Sequence, residues 1–249
     1  MRITILGCHS PYPGPGGATP GYLVQHGGRS ILLDCGSGVI SQLGRYLSLP
    51  QLDAVLLSHY HHDHCADVGV LQYGIMVHQI LGERKKDNPL PIYAPAQPRA
   101  KAETLTYRDA SRFHTIDEQT TLIIADIHLS FLRTDHGDGD PCYAMKLQAD
   151  GKTVVYGADS GPGTNWHGFA NHADLFICEG TFLERNKPVH PIGHLTVAQA
   201  AQTAEELQCR SLVITHLFPE YDPAEVLAEA RGYTFGTCHV AEMGWSVEL

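Results

Sequence analysis

A chain of 249 residues, 43% hydrophobic and 18% charged, has the composition of a folded globular protein with room for a substantial core. Its 27 acidic residues outnumber 17 Lys and Arg, and the resulting charge of −10 disfavours a large nucleic-acid partner, whose phosphates need clustered cations. Seven cysteines without paired spacing argue against a disulfide framework, and no apolar run reaches the ~20 residues that span a bilayer, so the expected setting is cytoplasmic with no membrane association.

The first predicted element is a strand in the five-residue apolar run around Thr4, before Gly7, which is too short for the core of a signal peptide. "GCHSPYPGPGGATPG" (7–21), the densest Gly/Pro stretch, follows as a structured loop near the functional face. Strands "YLVQH" (22–26) and "SILLD" (30–34) flank a "GGR" hairpin turn. A helix over 38–47, a buried strand "AVLLS" (54–58) and an apolar-faced helix over 66–81 come next, and the last of these offers a homodimer interface. The only basic cluster, "GERKKD" (82–87), is diluted by its flanking acids.

Beyond a strand at 127–134, "CYAMKLQ" and "KTVVYG" form a hairpin around "ADG". A strand "DLFICEG" (174–180), a helix over 196–208, a strand "SLVITH" (211–216), a helix over 223–231 and strands near 234–240 and 244–248 finish the chain. The same grammar appears twice. "ILLDCGSG" and "VVYGADSG" both close hairpin strands, and "AVLLSH" and "SLVITH" are both strands ending on His. This predicts an α/β fold of two similar half-domains, each a sheet with helices on its outer face, within a single domain spanning 1–249.

The stretch "SHYHHDHCAD" (58–67) holds four histidines and two aspartates in ten positions. In extended chain, residues i and i+2 project to one side, so His59 and His61 point together while Tyr60 and His62 point away. A helix starting near Asp63 turns Asp63 and His64 into the same cleft. Imidazoles with a carboxylate suit Zn²⁺, and also Mn²⁺ or Fe²⁺. Three further ligand types close apolar strands: His136, Asp159 and His216. Five His and two Asp are too many donors for one tetrahedral ion and fit two if one carboxylate bridges.

"SHYHHDH" resembles the His-x-His-x-Asp-His signature of the metallo-β-lactamase superfamily, with His136, Asp159 and His216 following in that family's order across nearly the whole chain. Within it, the chain is most similar to the ribonuclease Z-like branch through "LLDCGSG" (32–38), "YGADSG" (156–161), "CEGTF" (178–182), "GHLTVAQAA" (193–201) and "THLFP" (215–219). Cys178 and Gly180 depart from the branch's His-Glu-Ala-Thr segment. The resemblance implies a four-layer αββα sandwich. It also implies two divalent ions, Zn²⁺ first with Mn²⁺ or Fe²⁺ as substitutes: His59, His61 and His136 hold one, Asp63, His64 and His216 the other, and Asp159 bridges them. The implied chemistry is hydrolysis by a metal-bridging hydroxide, with Asp63 orienting it and His194 protonating the leaving oxygen.

Other residues have two readings. Asp34 either closes a turn with Gly36 or orients a ligand His from behind, and the second is favoured; Glu179 divides between a supporting and a structural role. Thr196 is the better helix cap, which frees His194. Cys35 and Cys65 flank site residues without matching ligand positions, and His9 lies in the Gly/Pro loop without an assigned role. Flavodiiron members of the superfamily carry Glu where this chain has His61, and glyoxalase II-type thioesterases carry an extra helical domain, so both reactions are disfavoured. His136 and Asp159 are 23 positions apart, enough for the hairpin and too few for the tRNA-gripping arm of bacterial ribonuclease Z. The expected activity is therefore that of a phosphodiesterase on a small anionic substrate, a small phosphodiester or cyclic phosphate. Ester or lactone hydrolysis, tRNA 3′-end cleavage and a non-catalytic binding role are the alternatives.

Overall fold

Two seven-stranded sheets pack face to face in the computed structural model, which describes residues 1–249 except Asp138, Pro191, Thr234 and Phe235. In chain order the first seven strands are β1 (Arg2–Gly7), β2 (Gly21–His26), β3 (Arg29–Leu33), β4 (Ala54–Leu56), β5 (Leu90–Pro95), β6 (Ser111–Ile116) and β7 (Thr121–Ile124). The rest are β8 (Ile127–Arg133), β9 (Tyr143–Ala149), β10 (Lys152–Tyr156), β11 (Leu175–Glu179), β12 (Ser211–Thr215), β13 (Thr237–Val240) and β14 (Ser246–Glu248). Helices α1 (Val39–Leu43), α2 (His62–Cys65), α3 (Val68–Ile80) and α4 (Arg99–Glu103) belong to the first half, α5 (Val197–Glu206) and α6 (Pro223–Ala230) to the second. The sheet orders are β14-β1-β2-β3-β4-β5-β6 and β13-β12-β11-β10-β9-β8-β7.

Strand alternation builds the layers. One parity, including Ile31 and Leu33 of β3, Met145 and Leu147 of β9, and Val154 of β10, fills the seam between the sheets. The opposite parity, with Leu23, Leu32 and Val55, meets Leu43 of α1, Leu71 and Ile75 of α3 and Ala102 of α4. In the second half Val155, Phe176 and Leu212 meet α5 and α6 through Val197, Ala200, Ala204 and Val226. The result is the αββα sandwich expected from the repeated grammar. Each fully buried aliphatic side chain contributes ~1.5–3 kcal/mol, so a one-residue slip in any inner strand would expose a whole row. Helix α5 shows the sequence logic plainly: Val197, Ala200, Ala201 and Ala204 recur at helical spacing on its buried face. Thr196 and Gln199 close a reciprocal capping box at its start.

Some elements differ from expectation. The helix expected over 38–47 is the short α1, which ends at Gly44. Strands β5, β6 and β7 had no counterpart in the sequence reading; in β5, Pro91 and Pro95 argue against an interior strand. β5 pairs with β4 only through Ile92 and Tyr93, so both prolines lie beyond that ladder. The strand expected near 234–240 is described from Thr237 onward, and Thr234 and Phe235 lie outside the described residues. All seven cysteines are free, and no helix among the described residues is long and apolar enough to cross a membrane.

The parallel strands β3 and β4 in one sheet and β10, β11 and β12 in the other deliver their carboxyl ends to one edge of the sandwich. Asp34, Ala158 and His216, each just past one of these strands, adopt positive φ of 54°, 50° and 60°. Left-handed backbone costs a non-glycine residue roughly 1–2 kcal/mol, and such strain collects where side chains must be aimed abruptly. The Gly/Pro loop joins the halves: Leu217 N donates to Cys8 O (3.0 Å) and Ser10 N to Leu217 O (2.9 Å).

Gly36 lets the turn after β3 lie against α2, since a Cβ there would sit 1.9 Å from Asp63 O and 2.2 Å from Thr19 Oγ1. Both obstacles are fixed in place, so the backbone would have to move. Gly36→Ala is expected to destabilise the protein by about 1–3 kcal/mol, read from the urea midpoint at unchanged m-value.

Candidate metal centre

His59 and His61 leave the end of β4 in extended backbone, and Tyr60 between them turns outward to donate its hydroxyl to Pro95 O (2.7 Å). α2 then brings Asp63 and His64 round to the same side, while His62 faces away towards Gln72 and Lys101. From the second half come His136 after β8, Asp159 after β10 and His216 after β12. All seven residues predicted as ligands thus converge, in two groups that could hold cations: His59, His61, His136 and Asp159, and Asp63, His64 and His216.

Asp159 stands between the groups, with one oxygen toward each. Its Oδ2 lies 3.4 Å from His59 Nε2 and 3.7 Å from His136 Nε2. Its Oδ1 lies 3.1 Å from both His64 Nε2 and His216 Nε2. Within the first group His136 Nε2 and His61 Nδ1 are 3.0 Å apart. In the second, Asp63 Oδ2 is 3.3 Å from His216 Nε2.

Outer hydrogen bonds decide which ring nitrogens face inward as acceptors. His64 Nδ1 donates to Asp34 Oδ2 (2.7 Å), and His136 Nδ1 donates to Gly193 O (3.1 Å). Thr181 Oγ1 is committed to donating to Glu179, so it accepts from His216 Nδ1 (2.8 Å). Ser58 Oγ donates to Asp34 in the same way and accepts from His59 Nδ1 (3.0 Å). Four imidazoles therefore point Nε2 at the centre, two of them, His64 and His216, only 3.2 Å apart. Such an array is repulsive unless positive charge lies among it.

Burial sharpens the demand. His59 Nε2 and Asp159 Oδ1 are buried and make no hydrogen bond, a costly state for polar atoms that a cation relieves. Burial and the charge of His64 lower the His59 pKa to about 4, the neutral form a metal ligand needs. For His64, burial works downward but the carboxylates of Asp159 and Asp34 outweigh it and hold its pKa well above 6.5. For Asp159 and Asp63, burial works upward and is overcome by His216 and His64, so both carboxyls stay ionised. The donors fit divalent cations in number and type, and a bound cation would take the place of the proton that the carboxylates otherwise hold on His64.

His194 sits beside the centre, within ligand distance of Asp159 and His216. Glu179, fully buried at the end of β11, accepts from His194 Nδ1 (2.9 Å), Ser160 N (2.6 Å) and Leu195 N (3.2 Å). Burial works against a charged His194, but Glu179 raises its pKa to about 9. Thr196 caps α5, as expected, so His194 is not spent on capping.

Asp34 proves to be a support: fully buried, it also accepts from Ser58 N (2.7 Å) and Tyr156 OH (2.5 Å). Sequence reasoning passed over Thr181, Ser58, Tyr156 and Gly193, and also Ser10, whose hydroxyl donates to Asp63 Oδ2 (2.9 Å). Thr181, Gly193, Tyr156 and Ser58 lie inside the recognised segments "CEGTF", "GHLTVAQAA", "YGADSG" and "SHYHHDH" without being singled out there, and Ser10 lies in the Gly/Pro loop. Gly193, at φ 79°, presses so close to Gly137 that a Cβ would fall 2.1 Å from its nitrogen.

Residues 29–217 match the model of the beta-lactamase superfamily domain, more than half of the chain. The chain belongs to that superfamily. It is 36% identical over 246 residues to a probable metallo-hydrolase, YhfI, of Bacillus subtilis, covering 98% of each chain. The crystal structure of YhfI, described as a metallo-beta-lactamase fold protein, superposes with a TM-score of 0.93 at 34% identity, covering 99% of this chain and 98% of that one. A ribonuclease Z of Mycobacterium bovis is 28% identical over 256 residues, 90% of this chain and 89% of the relative. A diphosphatase from the PhnP family shares the fold at a TM-score of 0.76 and 17% identity, covering all of this chain and 97% of its own. This superfamily member is thus a metallo-hydrolase-type protein with ribonuclease Z-like relatives and His and Asp residues positioned for metal.

Asp34→Asn keeps the shape but removes the charge behind His64. The expected outcome is a 10–100-fold loss of divalent-metal affinity, measured by competition against a chromogenic chelator.

Proposed function

We propose that this protein is a two-metal phosphodiesterase acting on a small phosphodiester, cyclic phosphates included. The observation that carries the reading is the placement of Asp159, one oxygen toward each ligand group, with the charged His194–Glu179 pair alongside. His59, His61 and His136 would hold one cation, Asp63, His64 and His216 the second, and Asp159 both. Bound cations supply Lewis acidity, lowering the pKa of water towards ~7 and stabilising charge on a phosphoryl group.

The chain's own residues do the remainder. Ser10 and His216 fix Asp63 so that its carboxylate can orient the attacking water. Glu179 keeps His194 protonated, giving a proton to the departing alkoxide and a positive charge near the phosphoryl oxygens. A neutral carboxylic ester develops one negative charge in its transition state and needs less of both. Names of relatives point the same way, a ribonuclease Z and a diphosphatase. The span between His136 and Asp159 is largely taken up by the β9–β10 hairpin, which favours a small substrate over tRNA.

The test is hydrolysis of bis(p-nitrophenyl) phosphate by zinc- or manganese-loaded protein, run beside p-nitrophenyl acetate and metal analysis. Two ions per chain and diester turnover that disappears in Asp63→Ala are expected. His194→Ala should cost about 100-fold on diesters with an alkoxide leaving group and far less on p-nitrophenyl esters, whose leaving group needs no proton. Protein that holds two ions but turns over only the acetate is instead an ester or lactone hydrolase, and turnover of neither substrate assigns a binding role.

A further inference from the structure

A cavity of about 380 Å³ opens directly beside the metal centre, and its lining has a different character from the centre itself. Three of its residues belong to the site: Ser10, Thr181 and His194. Its other walls are Phe182, Phe218, Tyr221 and Ile192, with Pro11 and a single amide, Asn186. No Lys, Arg, Asp or Glu lines it among the described residues. The rings are held in place. Asn186 Nδ2 donates to Tyr221 OH (2.6 Å), Tyr221 lies 5.8 Å from Phe218, and Tyr12 packs edge-on against Phe218 at 5.6 Å.

The mouth leaves large apolar side chains in water: Phe218 is 36% exposed, Tyr12 45% and Ile192 51%. Scattered exposed apolar residues need no explanation, but these gather around one opening beside the reactive centre. Apart from His194, which is paired with Glu179 at the reactive end, an anionic group would find no counter-charge in the lining, and Glu220, hydrogen-bonded to Tyr12 at 2.8 Å, would repel it at the rim. A flat apolar group would gain ring contacts with preorganised aromatic walls.

We infer that this cavity receives one ester substituent of the substrate, and that the substituent is planar and uncharged: an aryl group or a heterocyclic base, not a polyphosphate or a carboxylate-bearing tail. The inference rests on the phosphodiesterase reading for the identity of the reacting group, while the cavity's preference is a separate property. Phe218 and Phe182 are then specificity-determining residues that contact the part of the substrate that does not react.

Binding tests this without turnover. Phenylphosphonate and methylphosphonate are titrated calorimetrically into metal-loaded wild type and into Phe218→Leu, which keeps apolar bulk and removes the ring. The phenyl compound is expected to bind about tenfold more tightly than the methyl compound, the weight of one stacking contact. That preference should fall to about twofold or less in Phe218→Leu, with methylphosphonate affinity unchanged as the sign of an intact site. A carboxylate on the ring, in 4-carboxyphenylphosphonate, should abolish the gain. Equal binding of the phenyl and methyl compounds to wild type, or a ring preference that survives in a Phe182→Leu/Phe218→Leu double variant, overturns the inference. If neither phosphonate binds to protein that holds its metals, the phosphodiester reading fails, and benzoate against acetate then decides the cavity by the same criterion.

Discussion

The buried carboxylate of Asp34 is the constraint on which the rest of the site depends. A fully buried negative charge is tolerable only when its hydrogen bonds are complete, and Asp34 completes them from three separate elements. Ser58 reaches it from the end of β4, His64 from α2 and Tyr156 from β10 in the opposite sheet. These partners can meet only if both sheets are packed and the turn after β4 is formed. The carboxylate therefore converts correct folding of the sandwich into correct orientation of His64, and through the shared Ser58 into that of His59 as well.

Glu179 plays the matching part in the second half. It stands at the end of β11 and gathers Ser160, Thr181, His194 and Leu195, and Thr181 passes its influence to His216. Of the candidate ligand histidines, His64 is thus backed by a carboxylate directly and His59 and His216 through a hydroxyl, and each points Nε2 at the centre. Desolvation by the surrounding strands makes those faces more demanding of a cation than they would be in water. The fold supplies geometry and low dielectric together, because both come from the same strand ends.

Much of this was legible in the sequence, for identifiable reasons. The candidate ligands are rare residue types placed where apolar strands stop, so alternation alone sorted His59 and His61 from Tyr60 and His62, and each of the seven that converge was visible by type and position. The repeated hairpin-and-strand grammar yielded the layers, because a half-buried strand and a capped amphipathic helix each leave a period in the chain. What stayed hidden has no period. Ser10, Ser58 and Tyr156 are ordinary residues whose roles exist only after distant segments meet, and their nearest functional partners lie up to 122 positions away. β5 was masked by its prolines, which lie within its ladder to β6 but beyond the short ladder to β4.

The loop at 192–194 joins the metal centre to the aromatic cavity. Gly193 supplies the carbonyl that orients His136, His194 follows it in the chain, and Ile192 precedes it on the wall of the aromatic cavity. Three tasks are therefore written into three successive residues, and the close approach of Gly193 to Gly137 leaves no room for a side chain there. Substrate preference and metal retention are in consequence not independent traits of this protein. A change that reshapes the cavity from the Ile192 side reaches His136 through Gly193, and one made at Phe218 lies two residues from His216. Adaptation to new substrates therefore runs, on either wall, through segments that also carry candidate metal ligands.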